Sequence, residues 1–154
     1  MQGAGRELCD RLRPTIPGII EDTAPSRQFK HAHSIVEKAA RSTMRAKVFV
    51  IALGTNGPIS RATFDALLDI DDRTRFAFVN IKVPREWEQQ VNDTLREGVD
   101  HHSTRAAIMD WHSIATANPN FLRSDSFHLN CEGADAYALA LLAQLSLFAE
   151  SAQP

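Results

Sequence analysis

The stretch Val48-Phe49-Val50-Ile51-Ala52-Leu53, followed by Gly54-Thr55-Asn56-Gly57-Pro58, decides the fold class. Six consecutive apolar residues suit a strand that is apolar on both faces, and such strands take central positions in parallel sheets covered by helices. The glycines and the proline that follow indicate a loop where this strand ends. The stretch therefore predicts an α/β protein whose ligands gather at the carboxyl ends of parallel strands.

Apolar runs alternate with helical patterns on both sides of this strand, as in a chain of βα units. The elements predicted before it are a weak helix over residues 2–12, a turn and short strand over 16–22, and a helix over 29–44. The elements predicted after it are a helix from the Ser60 cap to about Ile70, strands over 75–83 and 106–111, a helix over 87–97, and a terminal helix capped by Asn130. We expect residues 1–154 to form a single three-layer α/β sandwich.

Composition and charge exclude several classes of protein. The 154 residues, 44% of them hydrophobic, suit one domain with a sizeable core. Lys and Arg number 17 against 19 Asp and Glu, so no basic surface for nucleic acid is expected. The sequence has no apolar run of the roughly 18–20 residues that a membrane span needs, and residues 1–13 do not resemble a signal peptide. Cys9 and Cys131 are too few for a disulfide framework, and we expect both to be reduced and to help fill the core.

Asp125 and His128 form the first candidate for chemistry, just before the terminal helix. A spacing of three residues lets a carboxylate accept from an imidazole N–H across one turn, which fixes the tautomer and stabilises the imidazolium. The pair is thus arranged as a general base would be. The alternative from spacing alone is a surface histidine at a helix entry.

Asn56 is the second candidate. It lies in the glycine-containing loop that follows the strand predicted over residues 48–53. Its side-chain N–H can point at a ligand oxygen, although an ordinary turn in which Asn tolerates a left-handed conformation explains the pattern as well. No Cys/His spacing, carboxylate cluster or phosphate-binding glycine loop predicts a metal or a cofactor.

Four motifs in this order resemble the SGNH-fold esterases and acyltransferases. The motifs are Leu53-Gly54-Thr55-Asn56-Gly57, Val83-Pro84-Arg85-Glu86-Trp87, Asp110-Trp111 and the run from Asp125 to Ala134. The resemblance covers nearly the whole chain. It is closest to the SGNH domain attached to membrane acyltransferases that O-acetylate polysaccharides, and the triplet Ser26-Arg27-Gln28 fits that subgroup.

The resemblance implies a role for each matching position. Asp125 and His128 match the two downstream members of a Ser-His-Asp triad. Asn56 matches the residue whose side chain donates to the oxyanion, and Ser26 falls where the family places a backbone N–H for the same oxyanion. The implied substrate-binding residues are Gly57, Arg27, Arg85 and Trp87. For Arg85 and Trp87 the alternative is a solvated arginine and a tryptophan that anchors a helix.

One departure from the family concerns the nucleophile. The family's serine lies in a Gly-Asp-Ser motif after the first strand, and this sequence contains no Gly-Asp-Ser. Residues 1–4 resemble those that follow the motif, so we expect the chain to be truncated at its N-terminus and to lack the first strand. Either the sheet re-pairs, or another chain lends a strand, or the gene product starts upstream, which is the alternative we favour. Cys9 and Ser126 are poorly placed to replace the serine.

Two functions follow from the resemblance. The first is an SGNH-type esterase or O-acyltransferase that acts on acetyl esters of carbohydrate or on a small ester, without a cofactor, and is inactive without its serine. The second is a catalytically inactive SGNH-like domain that binds a glycan or acyl group, or a gene fragment. The resemblance implies an extracytoplasmic location, and it implies a membrane acyltransferase module as partner.

Overall fold

The computed structural model describes residues 10–150 except 17, 43–45 and 47. Its strands are β1 (Val48–Ile51), β2 (Arg75–Val79) and β3 (Ala106–Met109). Its helices are α1 (Ala32–Ala40), α2 (Arg61–Leu68), α3 (Glu88–His101), α4 (Trp111–Ala117) and α5 (Cys131–Glu150), with 3-10 turns at Phe29–His31 and Pro119–Phe121. Two compact units contain these elements. The sheet unit comprises residues 27–81 and 85–110, and the helical unit comprises residues 82–84, the described residues before 27 and those from 111 onward.

The sheet is parallel throughout, with strand order β1-β2-β3. Phe49 pairs with Phe76 across β1 and β2, and Phe76 pairs with Ala106 across β2 and β3. The central strand β2 is buried from Phe76 to Val79, as expected for a parallel strand covered on both faces. The α/β class with a parallel sheet, predicted from the sequence, is confirmed.

Aromatic side chains fill the core of the sheet unit. Ser60 begins α2 as predicted, because its Oγ accepts a hydrogen bond of 3.2 Å from the Thr63 backbone N–H. This places Phe64 fully in the core, where its ring centroid lies 4.6 Å from that of Phe78 and 6.4 Å from that of Phe29. Such ring pairs contribute roughly 0.5–1.5 kcal/mol beyond the area they bury.

A buried amide ends β2 earlier than the sequence predicts. The side chain of Asn92 accepts from the Ile81 N–H at 2.8 Å and donates to the Ile81 carbonyl at 2.9 Å. Both backbone groups of Ile81 are therefore bonded to α3 instead of to a neighbouring strand. The strand predicted over 75–83 thus stops at Val79.

The helical unit is organised by α5, which begins where the sequence predicts. Asn130 Oδ1 accepts from the Gly133 N–H at 2.9 Å and so caps the helix. Tyr137 packs edge-on against Trp111 with ring centroids 5.0 Å apart, and burial raises the pKa of its hydroxyl. Trp111 begins α4, a helix that the sequence analysis did not predict, so the strand predicted over 106–111 ends at Met109.

Three further predictions differ from the structure. β1 lies at an edge of the described sheet and not at its centre, and Val50 on it is 39% exposed. The described residues of the strand predicted over 16–22 belong to no strand, because two isoleucines beside a Pro-Gly pair are too short a run to bury a strand, and Ile20 is 70% exposed. The helix predicted over 29–44 begins as a 3-10 turn and ends at Ala40, where the Arg41 N–H bonds back to the Glu37 carbonyl.

Other predictions fall partly or wholly on residues that are not described. The weak helix predicted over 2–12 is seen only at its end, where residues 10–12 are helical. Cys9 lies outside the described residues. Cys131 is a free thiol that is exposed at the start of α5, so the prediction that it helps fill the core is wrong. Within the described parts of the chain, no helix has both the length and the apolarity to cross a membrane.

Gly98 lets α3 approach α2 closely, since a Cβ at this position would lie 2.6 Å from Phe64 Cδ1. We expect Gly98→Ala to lower the free energy of unfolding by about 1–2 kcal/mol, because overpacking outweighs the better helix propensity of alanine. Urea denaturation measures the change, with the exposed neighbour Glu97→Ala as the control. Stability equal to that of the control would contradict the close packing.

Candidate functional site

The Asp125 carboxylate is held at the centre of a tight turn in the helical unit. Its Oδ1 accepts from the backbone N–H groups of Phe127 at 3.0 Å and His128 at 2.9 Å. Its Oδ2 lies 2.7 Å from His128 Nδ1. Ser126, between them, has a φ of 57°, a left-handed conformation that non-glycine residues adopt rarely and mostly at special sites. The turn thus fixes both oxygens of one carboxylate, and one of them holds the imidazole.

These hydrogen bonds determine the charge of Asp125 and the tautomer of His128. The bond from His128, together with the two backbone N–H groups, lowers the pKa of Asp125 to about 2. The carboxylate is therefore ionised at neutral pH and can only accept, so the proton of the neutral imidazole resides on Nδ1. Nε2 then carries the free lone pair, which is the arrangement of a general base.

The surroundings of His128 leave the imidazole partly open to solvent. The rings of Phe127 and His128 meet edge-on, with centroids 4.4 Å apart. The His128 side chain is 37% exposed and that of Asp125 49%. The aromatic contact limits the rotation of the imidazole and leaves it accessible to a substrate.

In the sheet unit, the loop after β1 is anchored at its start by Trp87. The indole Nε1 of Trp87 donates to the Gly54 carbonyl at 3.2 Å. The guanidinium carbon of Arg85 lies 5.9 Å from the centroid of the Trp87 ring, within the range of a cation–π contact. Trp87 directly precedes the first residue of α3, so its indole joins the start of that helix to the loop after β1.

Asn56 follows in the same loop and contacts the segment at Arg27. Its side-chain Nδ2 donates to the Arg27 carbonyl at 3.1 Å. The amide nitrogen carries two hydrogens, and this contact engages one of them. Gly57, the next residue, is buried and has a φ of 145°, in the region that favours glycine. Among the described residues, one N–H of the Asn56 side-chain amide is thus bonded to Arg27, and the other can donate to a ligand.

The structure accordingly brings the predicted residues together in two groups. Asp125 and His128 form a hydrogen-bonded pair in the helical unit. The sheet unit holds the contact between Asn56 and the Arg27 carbonyl, and the contact between Arg85 and Trp87 is in the same unit. Ser26, immediately before Arg27 in the chain, is exposed and has a left-handed φ of 53°.

One residue in the sheet unit was not assigned a role by the sequence analysis. The side-chain Nε2 of Gln28 donates to the Asn56 backbone carbonyl at 3.2 Å. The triplet Ser26-Arg27-Gln28 was noted, but the contact joins residues 28 positions apart, so no local pattern indicated it. Among the described residues, no three His, Cys, Asp or Glu side chains are grouped to hold a metal ion.

The low pKa of Asp125 is testable by titration. We expect its carboxyl carbon signal in NMR to titrate near pH 2, and His128→Ala to move the midpoint up toward the ordinary value of 3.8. The pKa is lower in the folded than in the unfolded state, so the stabilisation is complete above the ordinary value and is lost as the pH falls toward 2. A midpoint at 3.8 in the unsubstituted protein would contradict the hydrogen bonds described.

Comparison with known proteins gives relatives that cover most of the chain. The peptidoglycan O-acetyltransferase OatA of Listeria monocytogenes is 28% identical over 130 residues, which are 84% of this chain and 21% of the relative. The O-acetyltransferase OatA of Staphylococcus aureus strain NCTC 8325 is 28% identical over 122 residues, which are 79% of this chain and 20% of the relative. The chain thus spans about a fifth of the length of these relatives. No protein-family model matches it.

A solved structure shows the same fold. The C-terminal catalytic domain of Streptococcus pneumoniae peptidoglycan O-acetyltransferase A, determined with a methylsulfonyl adduct, matches with a TM-score of 0.79 at 20% identity. The match covers 94% of this chain and 88% of that domain. Together with the sequence similarity, the shared fold confirms the resemblance seen in the motifs: the chain is a homologue of the peptidoglycan O-acetyltransferases and has the SGNH-type α/β fold.

Proposed function

We propose that residues 1–154 form one SGNH-like domain that acts in acyl transfer, as an esterase or an O-acyltransferase on acetyl esters of carbohydrate. The observation that carries the proposal is the bond of 2.7 Å between Asp125 Oδ2 and His128 Nδ1, with Asp125 fixed by two further N–H groups. A carboxylate that holds an imidazole through Nδ1 is what a Ser-His-Asp mechanism requires. The O-acetyltransferase homologues support this choice.

In the proposed mechanism, His128 moves the protons and Asp125 orients it. Nε2 of His128 takes the proton of a serine hydroxyl while the serine oxygen bonds to the acyl carbonyl carbon. The same proton then passes to the leaving alkoxide as its bond to the acyl carbon breaks, which leaves an acyl-enzyme. A hydroxyl of the acceptor, or water, repeats these steps and releases the ester or the acid. No residue of these 154 is assigned as the nucleophile.

The proposal gives the loop residues the task of binding the oxyanion and the substrate. The N–H of Asn56 that is not bonded to Arg27 donates to the oxyanion, and the backbone N–H of Ser26 donates to the same oxygen. Removing one such donor typically costs about 2.7–4 kcal/mol of transition-state stabilisation. Arg27, Arg85 and Trp87 then contact the acyl donor or the sugar.

The names of the relatives suggest the setting of this reaction. Two of them are named as enzymes of peptidoglycan O-acetylation. We propose an acetylated cell-wall carbohydrate as the substrate, an extracytoplasmic location, and a membrane acyltransferase module as the partner that supplies acyl groups. Ser-His-Asp chemistry of this kind uses no dissociable cofactor.

Substitution of the pair tests the proposed function directly. In the natural gene product that contains these residues, we expect His128→Ala to abolish acetate release from p-nitrophenyl acetate and acetyl transfer to a chitooligosaccharide. Asp125→Asn leaves the imidazole in the wrong tautomer and should lower kcat by about 10⁴-fold.

The control is His101→Ala, which removes an exposed imidazole bonded only to the Glu97 carbonyl in its own helix. We expect this variant to retain the native rate. Equal rates for the native protein and His128→Ala would refute the assignment of His128 as the base.

A further inference from the structure

The Arg27-Gln28 segment and Asn56 are joined by two hydrogen bonds that run in opposite directions. The side chain of Asn56 donates to the backbone carbonyl of Arg27 at 3.1 Å. The side chain of Gln28 donates to the backbone carbonyl of Asn56 at 3.2 Å. Each segment therefore holds the other through a side-chain amide bonded to a main-chain oxygen.

Gly57 lies beside Gln28 in the loop after β1. A Cβ on Gly57 would lie 3.4 Å from Gln28 Nε2, an ordinary van der Waals distance. Glycine is therefore required at this position by its φ of 145°, which other residues rarely adopt, and not by the space beside Gln28. The exposed Gln28 side chain thus packs against a backbone turn of fixed conformation.

Gln28 also holds the part of the loop that the other contacts leave free. Trp87 anchors the loop at the Gly54 carbonyl, two residues before Asn56. The turn bond from the Gly57 N–H to the Gly54 carbonyl is 3.5 Å long, at the weak end of the range. The Asn56 carbonyl is thus held by the Gln28 side chain, and the Asn56 side chain is held by the Arg27 carbonyl.

We propose that Gln28 is a positioning residue that holds Asn56 where its free N–H can meet the oxyanion. The inference rests on the role given to Asn56 in the proposed function. An oxyanion donor acts only when it is held within about 0.5 Å of the productive position. A displacement of about 1 Å lowers the rate by about 100-fold.

The test compares two substitutions that differ in the ability to donate. Gln28→Glu keeps the shape but, once ionised, replaces the donor by an acceptor that repels the Asn56 carbonyl. Gln28→Lys keeps a donor of similar reach. We expect Gln28→Glu to lower kcat for p-nitrophenyl acetate by about 10- to 100-fold with KM changed less than about twofold. Gln28→Lys should restore most of the loss.

The matched control is Gln89→Glu, on the exposed side of α3. Gln89 also donates its amide to oxygen atoms, those of Asp93 at 3.0 Å, so this variant makes the same chemical change away from Asn56. We expect it to leave kcat and KM at the native values. A loss in this control equal to that in Gln28→Glu would overturn the specific role of Gln28.

A second readout does not depend on activity. We expect the NMR signals of the Asn56 side-chain NH₂ group to shift and broaden in Gln28→Glu and to return toward the native positions in Gln28→Lys. Unchanged signals in Gln28→Glu, or changed signals with a native kcat, would overturn the inference.

If Asn56→Ala lowers kcat and Gln28→Glu does not, only the inference fails. If neither His128→Ala nor Asn56→Ala affects turnover, the proposed function fails, and the NMR signals alone decide whether Gln28 positions Asn56.

Discussion

The candidate site depends on one carboxylate that accepts three hydrogen bonds within four residues of chain. Two backbone N–H groups and one imidazole N–H surround Asp125, so the group stays ionised and cannot rotate. A free aspartate in a turn would exchange partners with water, and His128 would then adopt either tautomer. Ser126 adopts its left-handed φ because the chain must fold back for both N–H groups to reach one oxygen. The left-handed conformation of Ser126 is thus part of the turn that holds Asp125 against His128.

Bonds between a side chain and a main-chain group also hold the loop after β1 in the sheet unit. Trp87 and Gln28 each donate to a loop carbonyl, and Asn56 donates to the carbonyl of Arg27. The loop leaves the sheet after β1, so side chains from other segments bond to its carbonyls in place of a neighbouring strand. Each bond contributes only about 1 kcal/mol of net stability. Their larger effect is to select one conformation of the loop.

Features set by a few neighbouring residues could be predicted from the sequence. Ser60 and Asn130 could be predicted as caps, because a cap depends only on a residue and the N–H three residues later. The structure shows both of these bonds. The Asp125–His128 pair was identified for the same reason, since its spacing alone brings the groups within reach. The start of β2 at Arg75 was predicted, but its end at Val79 was not, because that end depends on Asn92 from α3. The edge position of β1 likewise depends on the pairing of strands, and six apolar residues look the same in a central strand and an edge strand.

The contact between Gln28 and Asn56 shows why a resemblance to a family does not complete a site. The motifs indicated Asn56 and the segment at Ser26, but only the fold shows that the two segments bond to each other across 28 residues of chain. An amide that donates to an oxyanion gains its effect from being held in place before the charge develops. Under our proposal, the residue that holds the donor therefore contributes to the rate, although no chemistry of its own distinguishes it in the sequence.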